Sequence, residues 1–262
     1  MSARALCVGA DEALGQRWLD DDDDARLVHL LRHGEALHQQ RARSEALLGR
    51  VCRCHDVVSD PAGCPYLSDD LIDDPLTDAG RLQAQRALNV DVDVAGVDLV
   101  WAAACRRSLQ SARLALPSVR CIAREELRAR VGPHRHSWRV RRSQLQREHP
   151  EVDFGAVVDD EDALARAVAV VGEPRAHLHE RAVTFVDSLF HQPARRVAVV
   201  THFTLLLALF RAPSDGNVIG AMTGDDDDDV PLLDCRRSAD PRALAGLVEV
   251  GACRSLVLLP AR

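Results

Sequence analysis

The chain contains no lysine, so all 33 of its basic residues are arginines. Aromatic residues make up only 3% of its 262 residues, and the core must therefore be built from leucine, valine and alanine. Hydrophobic residues account for 47% of the chain, an ordinary value for a globular protein. A chain of this length is long enough to bury a sizeable core.

The sequence has no apolar run near the ~20 residues that a membrane helix needs, and its N-terminal apolar stretch is too short for a signal peptide. The net charge of −7 argues against general nucleic-acid binding. We therefore expect a cytoplasmic protein that binds neither membrane nor nucleic acid. The sequence leaves the oligomeric state open.

The eight cysteines are scattered along the chain, and a disulfide framework is not expected in a cytosolic protein of this size. Cys52, Cys54, His55 and Cys64 lie close together in sequence. Their Cys-x-Cys-His order puts three ligands into four residues, which is not the spacing of a standard zinc site. The sequence therefore predicts no metal and no other cofactor.

Two runs of five aspartates occupy residues 20–24 and 225–229. Because like charges repel and resist packing, both runs are interpreted as solvated loops. The first run marks the predicted start of the fold. Residues 1–25 are then an N-terminal extension, and residues 26–262 form a single domain with an excursion over about residues 131–175, where specificity is expected to reside.

Short apolar runs alternate with stretches of helical periodicity, a pattern typical of a largely parallel sheet covered on both faces. The predicted strands are residues 27–31, 98–103, 119–123, 197–201, 247–250 and 256–259. The predicted helices are residues 78–89, with Thr77 as N-cap, 106–116, 176–191 and 203–210. The expected fold is α/β, a three-layer α/β/α sandwich with a mostly parallel central sheet.

Three of the predicted strands end in residues suited to phosphate chemistry. Arg32 and His33 follow residues 27–31, Arg107 lies just beyond residues 98–103, and His202 follows residues 197–201. Ligand sites in α/β folds gather outside the carboxyl ends of strands. If the three strands are neighbours, two histidines and two arginines converge in a pocket suited to a phosphoryl dianion.

Four stretches together resemble the histidine phosphatase superfamily, also called the phosphoglycerate mutase-like fold. They are Leu31-Arg32-His33-Gly34-Glu35, Asp74-Pro75-Leu76-Thr77-Asp78-Ala79-Gly80-Arg81-Leu82-Gln83-Ala84, Arg107-Ser108-Leu109-Gln110-Ser111-Ala112 and Val199-Val200-Thr201-His202. They occur in the order of the family's motifs and cover about residues 26–210. Each stretch alone is modest, but the set is specific.

The resemblance implies a role for each matching residue. His33 would be the nucleophile that carries the phosphoryl group, and Arg32, Arg107 and His202 would bind its oxygens. Glu35 and His38, just beyond the nucleophile, are expected to shape the substrate pocket. His134 and His136 in the excursion either line its entrance or lie in a solvated loop.

The family also uses a general acid, commonly a glutamate after the strand that follows the Arg107 helix. The region resembles a branch with Leu-Arg-Glu-x-x-Gly here and a later stretch like Pro150-Glu151-Val152-Asp153-Phe154, and in that register the acid position is Ala129. Glu125 and Glu126 are either its replacements, with Glu126 as the candidate acid, or groups on a surface turn. General acid–base help is worth about 10²–10⁴-fold in rate.

The sequence thus predicts a metal-independent phosphatase that hydrolyses a phosphomonoester through a phosphohistidine. Its partner would be a phosphorylated small molecule or a phosphoprotein. Two alternatives stay open: a catalytically impaired pseudoenzyme that binds a phosphorylated ligand, and a phosphoglycerate mutase-type phosphotransferase. The second is less favoured because the chain lacks the Gly-Leu-Asn-Glu-Arg-type stretch of the cofactor-dependent mutases.

Overall fold

The computed structural model describes residues 3–7, 12–49, 64–87, 96–209, 233–234 and 253–260. These residues build one eight-stranded sheet with the order β5-β4-β3-β6-β2-β8-β1-β7. Its strands are β1 (Ala3–Cys7), β2 (Arg26–Arg32), β3 (Leu99–Ala103), β4 (Cys121–Arg124), β5 (Val152–Asp153), β6 (Arg196–Thr201), β7 (Leu233–Asp234) and β8 (Cys253–Pro260).

The five strands from β5 to β2 run parallel, whereas β8 runs antiparallel between β2 and β1. Strand β6 lies between β2 and β3, and its Thr201 pairs with Arg32 of β2. The next residue on each strand is a histidine. The register therefore places His33 and His202 side by side at the carboxyl edge of the sheet.

Helices cover both faces of the sheet because successive strand residues point to opposite sides. The helices are α1 (Glu12–Asp21), α2 (Leu37–Leu47), α3 (Asp78–Arg86), α4 (Arg106–Ala115), α5 (Arg142–Glu148), α6 (Ala163–Val168), α7 (Arg175–Phe190) and α8 (Phe203–Leu209). Helices α7 and α8 pack with Trp101 on one face, and α4 and α5 pack with Val100 on the other. None of the helices among the described residues is long and apolar enough to cross a membrane.

The α/β class and the mostly parallel sheet are confirmed, and strands β2, β3, β4, β6 and β8 fall on predicted runs with shifts of a few residues. The predicted N-cap is confirmed as well, since Thr77 Oγ1 accepts a hydrogen bond from the Gly80 amide at 3.0 Å. The apolar residues of α7 that recur at helical spacing form its buried face: Leu178, Ala182, Phe185, Val186 and Leu189. The predicted strand at residues 247–250 and the aspartate run at residues 225–229 lie outside the described residues.

The prediction that residues 1–25 form an extension preceding the fold is wrong for β1 and α1. Strand β1 pairs with β8 and β7, so it belongs to the central sheet, and Leu19 of α1 packs against Leu27 and Val257. The sequence lacks this signal because β1 is only five residues long and pairs with strands from the far end of the chain. Of the first aspartate run, Asp20 and Asp21 form the end of α1 rather than a loop.

The backbone at Gly34 meets the backbone at Gly80 with no room for a side chain between them. A Cβ added at Gly34 would overlap the carbonyl oxygen of Gly80, and a Cβ added at Gly80 would overlap that of Glu35. The Thr77 amide donates to the same Glu35 carbonyl at 2.9 Å, and the Gly34 amide donates to Ser111 Oγ at 3.0 Å. The turn after β2 is thereby fixed to the start of α3 and to α4.

We predict that Gly80→Ala destabilises the protein. In an open helical position this substitution would raise the free energy of unfolding by about 1 kcal/mol. Here the overlap with the Glu35 carbonyl should lower it instead, by roughly 1–3 kcal/mol. Gly132→Ala is the matched control, because a Cβ there meets nothing within 4 Å and its φ is not positive. Equal free energies of unfolding for the two variants, measured by denaturant titration, would contradict the close approach.

Candidate active site

His33 lies immediately after β2, where its amide donates to the Thr201 carbonyl at 3.1 Å. Its side chain is buried, and its Nδ1 lies 2.7 Å from the Gly34 carbonyl oxygen. A carbonyl can only accept a hydrogen bond, so Nδ1 carries the proton. The lone pair of the neutral imidazole is therefore on Nε2, the nitrogen available to attack an electrophile.

Burial, followed by the positive charge of Arg107, lowers the pKa of His33 well below its usual value. The nearby charge of Arg32 acts in the same direction. Both effects disfavour the imidazolium because it is a charged form in a buried, positively charged setting. His33 is thus neutral at neutral pH, the state in which its nitrogen is nucleophilic.

Arg107 occupies the first turn of α4 and is 2% exposed. Its Nη1 donates to the His136 carbonyl at 2.9 Å and contacts Asp74 Oδ1 at 3.3 Å. Its Nε is buried without a hydrogen-bond partner among the described residues. A buried donor without an acceptor is costly in a protein interior, and an oxyanion would satisfy it.

Arg32 is the last residue of β2, and its guanidinium lies over the Phe203 ring at 5.3 Å from the ring centre. Burial and then the charge of Arg107 lower its pKa. The two guanidinium groups are close enough for their charges to interact, and they lie beside a buried neutral imidazole. Such an environment favours an anion.

His202 follows β6, and its ring centre lies 4.8 Å from that of His33 in an edge contact. Arg107 Nη2 lies 3.4 Å from Nδ1, and because arginine only donates, this nitrogen is the acceptor. On the other side, Ser108 Oγ and Cys105 Sγ each lie 3.3 Å from Nε2. Both ring nitrogens thus have protein partners, and direct binding of phosphate by His202 stays a prediction.

Glu35, expected to shape the substrate pocket, has contacts that hold the turn instead. Its carboxylate accepts from Thr77 Oγ1 at 2.8 Å and pairs with Arg43, and its amide donates to Gln83 Oε1 at 2.8 Å. The hydrogen bond from Arg43 is the main reason that the pKa of Glu35 is lowered. Thr77 and Gln83 belong to the second family-like stretch, so that stretch serves to position the turn that carries His33.

His38 is held by a buried carboxylate. Asp74 Oδ2 accepts from the His38 amide at 2.7 Å and from its Nδ1 at 2.8 Å, while the other oxygen of Asp74 contacts Arg107. Burial opposes ionisation of Asp74, but the hydrogen bond from His38 and the charge of Arg107 outweigh it, so the pKa of Asp74 is lowered. One carboxylate therefore orients both an imidazole and the arginine beside His33.

Four rings form a wall next to His33. His38 and His136 stack in parallel with ring centres 4.3 Å apart, and His134 and Tyr66 contact His136 at 5.8 Å and 5.0 Å. The ring centre of His38 lies 6.5 Å from that of His33. His134 and His136 are therefore part of this ring wall (Tyr66, His134, His136 and His38) and do not lie in a solvated loop.

Ala129 lies in a segment that passes beside the end of β6. The Leu127 carbonyl accepts from Thr201 Oγ1 at 2.6 Å, and the Arg130 amide donates to Thr204 Oγ1 at 2.9 Å. The segment that holds the expected acid position thus runs next to His202. Alanine offers no proton there.

The two nearby glutamates are bound to arginines. Glu126 pairs with Arg124, whose guanidinium stacks on the Trp101 ring at 4.3 Å in the face covered by α7. Glu125 accepts from Arg128 at 2.9 Å and from Arg139 at 2.5 Å. Neither glutamate contacts His33, Arg107 or His202 among the described residues. The predicted acid role of Glu126 finds no support in these contacts.

The positions at strand ends correctly indicated that His33, Arg107 and His202 come together beside Arg32. Sequence reasoning missed Asp74, Ser111 and Tyr66, whereas it had named the other three residues of the ring wall as candidates. Asp74 is one of many acidic residues, and its meeting with His38 depends on the bridge between Ala36 and Leu76. The clue available in sequence was that Asp74 begins the second family-like stretch.

A sequence model of the histidine phosphatase superfamily (branch 1) matches residues 69–217. The match covers more than half of the chain and includes Asp74, Arg107 and His202, while the Arg32-His33 turn lies N-terminal to it. The chain belongs to the histidine phosphatase superfamily. A search of curated protein sequences gave no match.

Several solved structures resemble the chain. The ecdysone phosphate phosphatase from Bombix mori, in complex with tungstate, is 18% identical with a TM-score of 0.44 and covers 79% of this chain and 86% of its own. The alpha-ribazole phosphatase from Shigella flexneri is 21% identical with a TM-score of 0.43, covering 71% and 78%. A mycobacterial glucosyl-3-phosphoglycerate phosphatase is 21% identical with a TM-score of 0.40, covering 72% and 81%.

We predict that His33 stays neutral, with its proton on Nδ1, as the pH falls through 6.5, the usual histidine value. The lowered pKa means that the imidazolium forms only at more acidic pH. Nitrogen-15 NMR of the ring, with the resonance assigned by its loss in His33→Ala, measures both the tautomer and the titration. A midpoint close to the usual value would contradict this account of the pocket.

Proposed function

We propose that this protein is a phosphatase that hydrolyses a phosphate monoester through a phosphohistidine on His33. The observation that carries the proposal is a nucleophilic nitrogen next to a buried donor. His33 has its lone pair on Nε2, and Arg107 beside it has a buried Nε that finds no acceptor among the described residues. A phosphoryl group bound between them satisfies both.

In the first step the arginines hold the phosphoryl oxygens and offset their charge, and Nε2 of His33 attacks phosphorus. The bond between phosphorus and the ester oxygen breaks, and the oxygen leaves with the electron pair. Nδ1 of His33 keeps its proton throughout and donates it in a hydrogen bond to the Gly34 carbonyl. Because the attacking Nε2 carries no proton, the nucleophile needs no base. The contribution of this chain is positioning and fixed positive charge, which suits phosphoryl transfer.

The residues around the leaving group support an aryl ester as the preferred substrate. Ala129 cannot protonate a leaving oxygen, and an aryl oxide departs more easily than an alkoxide without that help. The ring wall offers flat faces against which an aromatic leaving group can pack. The substrate would be a phosphorylated small molecule or a phosphoprotein with such a group.

We expect rapid mixing with ³²P-labelled p-nitrophenyl phosphate to give an acid-labile, base-stable label on the protein. His33→Ala should abolish the label, because its Nε2 is the accepting atom. His191→Ala, which changes an exposed histidine outside the site, is the matched control and should keep it. Labelling that survives in His33→Ala would overturn the assignment of the nucleophile.

We also expect kcat/KM to be much higher for p-nitrophenyl phosphate than for a sugar phosphate. Ala129→Glu should raise the value for the sugar phosphate by up to about 10²-fold and change the aryl ester far less, since general acid help matters most for a poor leaving group. If the wild type hydrolyses both esters equally fast and the substitution changes neither, the acid lies elsewhere in the site.

A binding module for a phosphorylated ligand is the second candidate. It is favoured by the same alanine and by the glutamates bound to arginines, since both remove the expected acid while keeping the anion site. The labelling experiment separates the two functions. A binding module would bind the phosphate ester but would never transfer the ³²P label to His33.

A further inference from the structure

Hydrolysis of a phosphohistidine needs a proton transfer, because the water that attacks phosphorus must lose a proton. We propose that His38, held by Asp74, is the general base that activates this water. The inference rests on the proposed function and adds a catalytic residue to it. It assigns to an imidazole the task for which Ala129 offers no carboxylate.

The Asp74–His38 pair has the geometry of an oriented base. The carboxylate accepts from both the amide and Nδ1 of His38, at 2.7 Å and 2.8 Å, which fixes the ring and directs its lone pair to Nε2. Parallel stacking on His136 holds the ring from its face. The ring centre of His38 lies 6.5 Å from that of His33, so the two imidazoles lie at the same end of the site. A water held by Nε2 of His38 at a hydrogen-bond distance of about 2.6–3.2 Å would then lie close to a phosphoryl group on His33.

The surroundings keep His38 neutral, as a base requires. The positive charges of Arg107 and Arg32 both disfavour a proton on His38. Burial lowers the pKa of His38 most strongly, and the hydrogen bond to Asp74 offsets this only in part. A neutral imidazole accepts a proton from water but does not donate one to a departing alkoxide.

Other groups near His33 are less suited to the task. Both nitrogens of His202 are engaged by Arg107 on one side and by Ser108 and Cys105 on the other. Nδ1 of His136 is buried and makes no hydrogen bond among the described residues, so no carboxylate orients that ring. Among the described residues, His38 pairs a carboxylate with Nδ1 and makes no hydrogen bond through Nε2.

The step balances as follows in atoms and charge. The water oxygen forms a bond to phosphorus while the bond from phosphorus to Nε2 of His33 breaks, and the electron pair returns to the His33 ring. Nε2 of His38 takes one proton from the water. The phosphoryl group, now joined to the remaining hydroxyl, leaves as hydrogen phosphate. His33 ends neutral with Nδ1 still protonated, and His38 then releases its proton to solvent.

Burst kinetics with p-nitrophenyl phosphate test this assignment, because nitrophenolate reports the first step and phosphate release reports the second. His38→Gln should keep a burst of about one nitrophenolate per site while the steady-state rate falls by roughly 10²-fold or more. The phosphorylated His38→Gln enzyme should still react with hydroxylamine at the wild-type rate, since that nucleophile needs no base. A purely structural role for His38 would lower both reactions alike.

Each outcome decides the matter. A normal steady-state rate in His38→Gln, or a lost burst where the wild type shows one, overturns the assignment of His38. Absence of the ³²P label from the wild type overturns the proposed function and this inference with it. Asp74→Asn is the second variant if His38→Gln fails to fold: it should slow release of phosphate more than release of nitrophenolate, and equal slowing of the two would contradict the proposal.

Discussion

The contact between the backbones at Gly34 and Gly80 is the constraint on which the site depends. Because neither position has room for a Cβ, the turn after β2 and the start of α3 meet at backbone distance. Hydrogen bonds from Thr77 to Glu35 and from Gly34 to Ser111 then tie the turn to α3 and α4. Since α4 also carries Arg107, a single junction sets the position of His33 relative to Arg107.

Buried charge is the second feature that organises the site. Burying an arginine is costly unless its donors are satisfied, and Arg107 meets this cost in part through Asp74 and the His136 carbonyl. Within the described part of the chain its Nε has no acceptor, and an oxyanion would satisfy that donor. Asp74 also orients His38, so one carboxylate holds two of the groups around His33. Such preorganisation means that little rearrangement is needed during the reaction.

The sequence predicted those parts of the fold that rest on local pattern. The runs that became β2, β3 and β6 are short and apolar, and the stripe on α7 has helical spacing, so each was visible without its partners. Helix α2 was missed because its residues form no apolar stripe. Strand β1 was missed because only pairing with β8 makes it a strand. The ring wall and the arginine partners of Glu125 depend on how the excursion folds back, which no local pattern records.

A crystal structure of the protein with orthovanadate tests the central claim most directly, because vanadate adopts the geometry of a transferring phosphoryl group. The account predicts a bond from vanadium to Nε2 of His33, with vanadate oxygens bound by Arg32 and by Nε of Arg107. Vanadate bound away from His33, or bound there without a contact to either arginine, would contradict it.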